Sequence, residues 1–380
     1  MAELQLHGGR AVIAAVLSAL GKLDGLRMAE PGEFTRRAFE NGRLDLTAVE
    51  GLADLIFAET EAQRRQAYRQ HKGLLGERAE TWRKRLIEVM ALIEARIDFS
   101  DEADVPEDLI GPALASAQGL HKEISEALAG AARGERLREG LVVAIAGPPN
   151  AGKSTIFNHL ARREAAIVSP IPGTTRDVIE IHLDLEGFPV TVLDTAGIRE
   201  SSDPVEREGV RRAQERARAA DLVLWVVEQG VDKERTLIHS FVAQLQSGPE
   251  VWLVRSKLDL VNYNKPERVI NESEYQFINT FSVSSLTNEG MNQLVNQISQ
   301  FAEKYFAGGE GVLVTRERQR KALEETLAAL DRAIGEGPKG REDIIAEELR
   351  LAGRALGRLT GRVDVEDILD AIFRDFCIGK

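Results

Sequence analysis

Leu141-Val142-Val143-Ala144-Ile145-Ala146-Gly147-Pro148-Pro149-Asn150-Ala151-Gly152-Lys153-Ser154-Thr155 decides the fold. The run Leu141 to Ala146 is apolar and reads as a buried strand, and Gly147 to Ser154 complete the G-x-x-x-x-G-K-S phosphate-binding pattern directly after it. The spacing predicts strand, tight loop and helix start. Loop amides and the helix N-terminus face an anion, Lys153 reaches the terminal phosphates, and the Ser154 hydroxyl ligates magnesium. Asn150, Ala151, Gly152, Lys153, Ser154 and Thr155 are the first candidates for contact with a nucleotide.

Further along, the apolar run Val190 to Leu193 leads into Asp194-Thr195-Ala196-Gly197. There an aspartate can hold the magnesium shell and a glycine amide can meet the γ-phosphate. Between the two lies Pro172-Gly173-Thr174-Thr175-Arg176-Asp177, a switch-like segment with a threonine placed to complete magnesium coordination. Base choice falls to Ser256-Lys257-Leu258-Asp259, which follows the strand pattern Val251 to Val254 at the place of the guanine-reading Asn-Lys-x-Asp motif. A carboxylate accepts from both guanine N1–H and N2–H, so Asp259 carries the specificity for GTP. Ser256 departs from the usual asparagine; being shorter, it is expected to loosen nucleotide affinity without changing the base. Ser284-Ser285-Leu286, after Phe281 to Val283, sits where a backbone amide meets guanine O6.

Hydrolysis needs a positioned water, and many small GTPases use a glutamine directly after Asp-x-x-Gly. Ile198 stands there and cannot polarise water. Glu206, in the charged run Arg199 to Glu208, is the candidate for that role, its plainer reading being a solvated helix start. Arg176 and Arg199 lie in the switch segments, neither obviously fixed on the phosphates. The Asn150 side-chain carbonyl, with carbonyls of the stretch Ser169 to Thr174, can hold a monovalent cation that does an arginine finger's electrostatic work.

A chain of 380 residues supports two or three domains, and a single cysteine rules out a disulfide framework. With neither a membrane-length apolar run nor a signal-peptide pattern, the expectation is a soluble cytoplasmic protein without a membrane partner. The net charge of −12 argues against a generally basic nucleic-acid-binding surface, so an RNA contact must rest on a local patch. Candidates are Arg64, Arg65, Arg69 and Lys72; Arg83, Lys84 and Arg85; and the row Arg350, Arg354, Arg358, whose plainer reading is a solvated face paired with Glu347 and Glu348. Strand and helix patterns alternate from about Gly140 to Gln300, implying a mainly parallel sheet. The flanks are helical: Trp82, Leu86, Met90, Ile93 and Ile97 recur at three to four residues, as do Leu323, Leu327, Leu330 and Ile334. The expected fold is therefore an α/β P-loop GTPase domain inserted in one discontinuous α-helical domain, with Gly308 to Gly311 as the return linker. The opening Glu3-Leu4-Gln5-Leu6-His7-Gly8-Gly9 reads as the middle of a partial N-terminal α+β domain, truncated or completed by another chain. Expected boundaries are 1–47, 48–139, 140–304 and 305–380.

The loop, Gly-Thr-Thr-Arg-Asp at 173–177, Asp-Thr-Ala-Gly-Ile-Arg-Glu at 194–200 and the terminal Phe376-Cys377-Ile378-Gly379-Lys380 together resemble the tRNA uridine-modification GTPase family called MnmE or TrmE. Pro31 to Phe39 and Asn41 to Leu46 look like the end of that family's N-terminal domain, so the resemblance covers essentially the whole chain. It implies a potassium-stimulated GTP hydrolase that forms a homodimer. Such an enzyme works with a flavoprotein partner of the MnmG or GidA type on the wobble uridine of certain tRNAs, with a folate one-carbon donor. By resemblance, potassium falls to Asn150, Ser169, Ile171 and Thr174, magnesium to Ser154 and Thr175, and water activation to Glu206. Ser169, Thr174 and Thr175 also join the GTP contacts. Glu3, Arg43 and Lys380 correspond to contacts of 5-formyltetrahydrofolate. Cys377 corresponds to the terminal cysteine implicated in modification, a reactive thiol or a packing cysteine. Two other readings stand beside this one, an Era-like ribosome-assembly GTPase and a nucleotide-switched scaffold. The terminal Phe-Cys-Ile-Gly-Lys favours the first over both.

Overall fold

The computed structural model describes residues 3–98, 109–162, 165–167, 180–194, 217–229, 248–260, 279–309 and 311–363, with 369, 372, 373 and 376. The chain divides into two compact units: Met1–Ala53, Gln70–Ala117 and Ala328–Lys380 form one, and Asp54–Arg69 with Gln118–Leu327 the other. Among the described residues no helix is long and apolar enough to cross a membrane.

The second unit is built on a seven-stranded sheet. Its strands are β1 (Leu141–Ala146), β2 (Ala166–Ile167), β3 (Glu180–Leu185), β4 (Phe188–Asp194), β5 (Leu222–Glu228), β6 (Glu250–Ser256) and β7 (Asn279–Ser282), in the order β2-β3-β4-β1-β5-β6-β7. From β4 to β7 every pairing is parallel; β2–β3 and β3–β4 are antiparallel, the latter a hairpin turning at Glu186 and Gly187, both with positive φ. That hairpin edge was not foreseen, because Glu180 to Leu185 alternates polar and apolar residues and lacks the continuous apolar signature of the central strands.

Period-two alternation sends each strand's side chains to both faces. Val143, Ile145, Val192, Leu224, Val226 and Trp252 pack with Ile156, Phe157 and Leu160, and with Leu294, Ile298 and Phe306. On the other face lie Ala144, Ala146, Val223, Trp225 and Leu253. The helices involved on the first face are α8 (Lys153–Ala161) and α9 (Met291–Phe306). At the amino ends of the central strands, Asp221 accepts from the Val142 amide at 2.9 Å and from the Tyr305 hydroxyl. Burial and that hydrogen bond raise the Tyr305 pKa, so the phenol stays a donor.

Among the described residues the other helices are α1 (Arg10–Leu20), α2 (Glu33–Glu40), α5 (Leu74–Asp98) and α11 (Glu342–Thr360) of the first unit, α7 (Ala131–Glu139) of the second, and α3 (Leu46–Phe57), α4 (Glu61–His71), α6 (Ile110–Leu128) and α10 (Glu317–Glu336), which have residues in both. In α5 the buried stripe is Trp82, Leu86, Val89 and Ile93; of the residues expected on it, Met90 is half-buried and Ile97 exposed. Helix α11 buries Ile345, Leu349, Ala352, Leu356 and Leu359, and Gly353 faces Leu86. Of the row Arg350, Arg354 and Arg358, the first two are exposed and Arg358 is half-buried; Arg350 pairs with Glu94 and Glu347, and Arg354 with Glu347. Glu348 pairs with Arg332 instead, 2.8 Å away. Helix α1 is apolar yet buries no side chain.

Candidate nucleotide site

Because β4, β1, β5, β6 and β7 are parallel, their carboxyl ends open on one edge of the sheet, where open α/β sheets bind ligands. Between β1 and α8 the loop turns through left-handed backbone at Asn150 (φ 64°) and Gly152 (φ 91°). Gly147 runs so close to β5 that a Cβ there would sit 2.1 Å from the Val226 carbonyl oxygen, so only glycine is accommodated. The first intrahelical bond of α8 is Ile156 N to Gly152 O at 3.0 Å, which leaves the amides of 153–155 free of intrahelical acceptors and suited to an anion. Lys153 is buried, its ammonium donating to the Pro148 carbonyl at 2.7 Å across the loop.

Adjacent pairing of β1 and β4 brings together residues forty positions apart: the Ser154 hydroxyl donates to Asp194 Oδ2 at 3.1 Å. A hydroxyl and a buried carboxylate beside a helix N-terminus supply the hard oxygen donors that magnesium takes. Thr155 is exposed on the first turn of α8 and Ala151 is buried under the loop.

The base-reading end is wired to this loop. Ser256, buried at the end of β6, faces two carbonyls with its hydroxyl, Ala151 O of the loop and Val227 O of β5 at 3.1 Å. One hydroxyl proton serves one of them at a time. The short side chain thus ties the guanine-side segment to the phosphate loop, a role that side-chain length alone had not suggested. Ser256→Ala is expected to remove about 1 kcal/mol of stability. Denaturant midpoints of the two proteins measure it, and equal midpoints would show that the tie carries no weight.

Lys257 has φ 58° and its ammonium lies 2.6 Å from Glu228 Oε2. Glu228 was missed in the sequence; the available signal was a carboxylate closing an otherwise apolar strand. Asp259 sits on a short 3-10 turn, Leu258–Leu260, and its Oδ1 accepts from the Ser284 hydroxyl at 2.5 Å. Ser284 is fully buried and accepts in turn from the amides of Leu286 (3.3 Å) and Thr287 (3.1 Å), so its proton is committed to Asp259. Ser285 and Leu286 continue this turn, Leu286 being exposed.

Ser169, Ile171, Thr174, Thr175, Arg176, Thr195, Ala196, Gly197, Ile198, Arg199, Glu206, Cys377 and Lys380 lie outside the described residues. In the first unit, Arg43 lines a cavity of about 600 Å³ with Glu40, Asp45, Glu77, Glu80 and Arg362, while Glu3 is an exposed residue not lining it.

The family model described as MnmE helical domain matches residues 46–377, and that described as GTP-binding protein TrmE N-terminus matches residues 1–43. The tRNA modification GTPase MnmE of Bradyrhizobium sp. is 56% identical over 379 residues, which cover 100% of this chain and 82% of that protein. The protein of the same name from Rhodopseudomonas palustris is 55% identical over 380 residues, with coverage of 100% and 82%. Among solved structures, an Era protein of Aquifex aeolicus bound to GDP.AlF4- shows 25% identity over 50% of this chain and 66% of that one, at a TM-score of 0.35. The chain is a GTPase and belongs to the tRNA modification GTPase MnmE family.

Proposed function

We propose that this GTPase takes part in 5-carboxymethylaminomethyl-type modification of the tRNA wobble uridine, stimulated by potassium and acting with a flavoprotein of the MnmG or GidA type. The observation that carries the reading is the Ser154–Asp194 pair at 3.1 Å, joined through one sheet edge to the Asp259–Ser284 pair, in a chain of this family. Loop amides and Lys153 bind the phosphates, Asp259 selects guanine, and Glu206 orients the attacking water. Ser154 and Thr175 would hold magnesium, which neutralises charge on the phosphate oxygens. Asn150, Ser169, Ile171 and Thr174 would hold potassium; the exposed place of Asn150 within the phosphate loop supports that assignment. Glu3, Arg43 and Lys380 are proposed for the folate and Cys377 for the modification step. The domain limits 1–47, 48–139, 140–304 and 305–380, and a homodimer through the N-terminal and GTPase domains, belong to the same reading.

Hydrolysis is expected to run faster in potassium than in sodium, because the smaller ion is poorly held by a carbonyl cage spaced for the larger. Asn150→Ala should flatten the difference. Steady-state GTP turnover in matched chloride salts measures this, and equal rates for the unsubstituted protein would remove the cation from the mechanism.

A further inference from the structure

We infer that the outer face of α4 is the surface on which this protein receives the phosphate backbone of tRNA. The inference rests on the tRNA reading above and goes beyond it by naming the contact. From Glu61 to Lys72 the chain carries four cations against one carboxylate, in a protein whose net charge is −12. Arg64, Arg65, Tyr68 and Arg69 are all exposed, and their spacing sets them on one side of the helix. Arg64 and Arg65 share Glu61, at 2.7 and 2.8 Å. A basic stripe with an exposed aromatic ring suits a polyanion carrying stacked bases. The other basic rows are paired as well, Arg350 and Arg354 with Glu94 and Glu347 and Arg83 and Arg362 with Glu80; what sets α4 apart is the exposed ring of Tyr68 within its row.

The opposite face of α4 is fastened to the nucleotide-binding unit. Thr60 caps α4, its hydroxyl accepting from the Gln63 amide at 3.5 Å, and Gln63 Oε1 accepts from the Glu59 amide at 3.1 Å. Gln63 and Gln66 donate to the carbonyls of Arg138 and Gly134 in α7, each at 3.0 Å, and α7 runs straight into β1. The Ala62 amide donates to Gly187 O at 3.2 Å in the β3–β4 turn, and Glu59 lies 3.5 Å from His182 of β3. Ala62, Gln66 and Ala67 are buried. RNA docked on α4 would therefore bear on the strands that lead into the phosphate loop and into Asp194.

The test is binding of an unmodified tRNA transcript as a function of salt, for this chain alone and for its complex with the flavoprotein. The variant is Arg64→Gln, Arg65→Gln and Arg69→Gln together; glutamine keeps helix propensity, and basal GTP turnover serves as the folding control. The slope of log K against log salt should fall by about 2 to 3, with affinity down on the order of tenfold or more. Tyr68→Leu should weaken binding by about fivefold at an unchanged slope. Arg350→Gln with Arg354→Gln should change neither. Equal slopes for the triple variant and the unsubstituted protein overturn the α4 surface while leaving the tRNA reading intact. Failure of the unsubstituted protein to bind the transcript in either form overturns both. Loss of flavoprotein association with unaltered tRNA binding also overturns the inference and makes α4 a protein-docking face.

Discussion

Asp259→Asn should lower GTP affinity on the order of 10²-fold or more and shift preference from guanine towards xanthine. The direction follows from the Ser284 hydroxyl. It accepts from two backbone amides and therefore gives its proton to residue 259, so the asparagine carbonyl must take the Oδ1 place and the amide NH₂ the other. The carbonyl can still accept from N1–H, but the NH₂ meets the guanine N2–H as donor against donor, whereas the xanthine 2-carbonyl accepts it. Titration with GTP and XTP measures both affinities. Unchanged GTP affinity would mean that the base does not sit against Asp259.

Removal of the Glu206 carboxylate is expected to separate binding from chemistry. Glu206→Ala should bind GTP as before and lose about 10²–10⁴-fold in single-turnover hydrolysis, since the residue is proposed to act on water in the transition state and not on the bound nucleotide. A normal rate would pass water activation to another group, with Arg199 or the bound cation next in line.

The parts of this site legible in the sequence are those in which one residue type is tied to one backbone task. Gly147 is readable because β5 passes within clash distance of any Cβ, and the strand Leu141–Ala146 because both its faces are buried. Asp259 and Ser284 were each found from spacing to a preceding apolar run, although their hydrogen bond joins residues twenty-five positions apart. What escaped was lateral. The tie from Ser256 to the phosphate loop, the Glu228 partner of Lys257 and the fastening of α4 to α7 and the hairpin all depend on which strands lie side by side. Linear spacing carries no such information. The β2–β3–β4 edge escaped for a different reason, since half-buried alternation over six residues competes poorly with the turns around it.

In the proposed function, GTP hydrolysis in this pocket serves wobble-uridine modification. The most direct test is nucleoside mass spectrometry of tRNA from a strain lacking the gene and complemented with either the unsubstituted chain or Glu206→Ala, alongside ribosome profiles. The unsubstituted chain should restore the 5-substituent of the wobble uridine and the hydrolysis-deficient chain should not. Full modification in both complemented strains, or an unchanged nucleoside profile with defective ribosomes in the deletion strain, would contradict it.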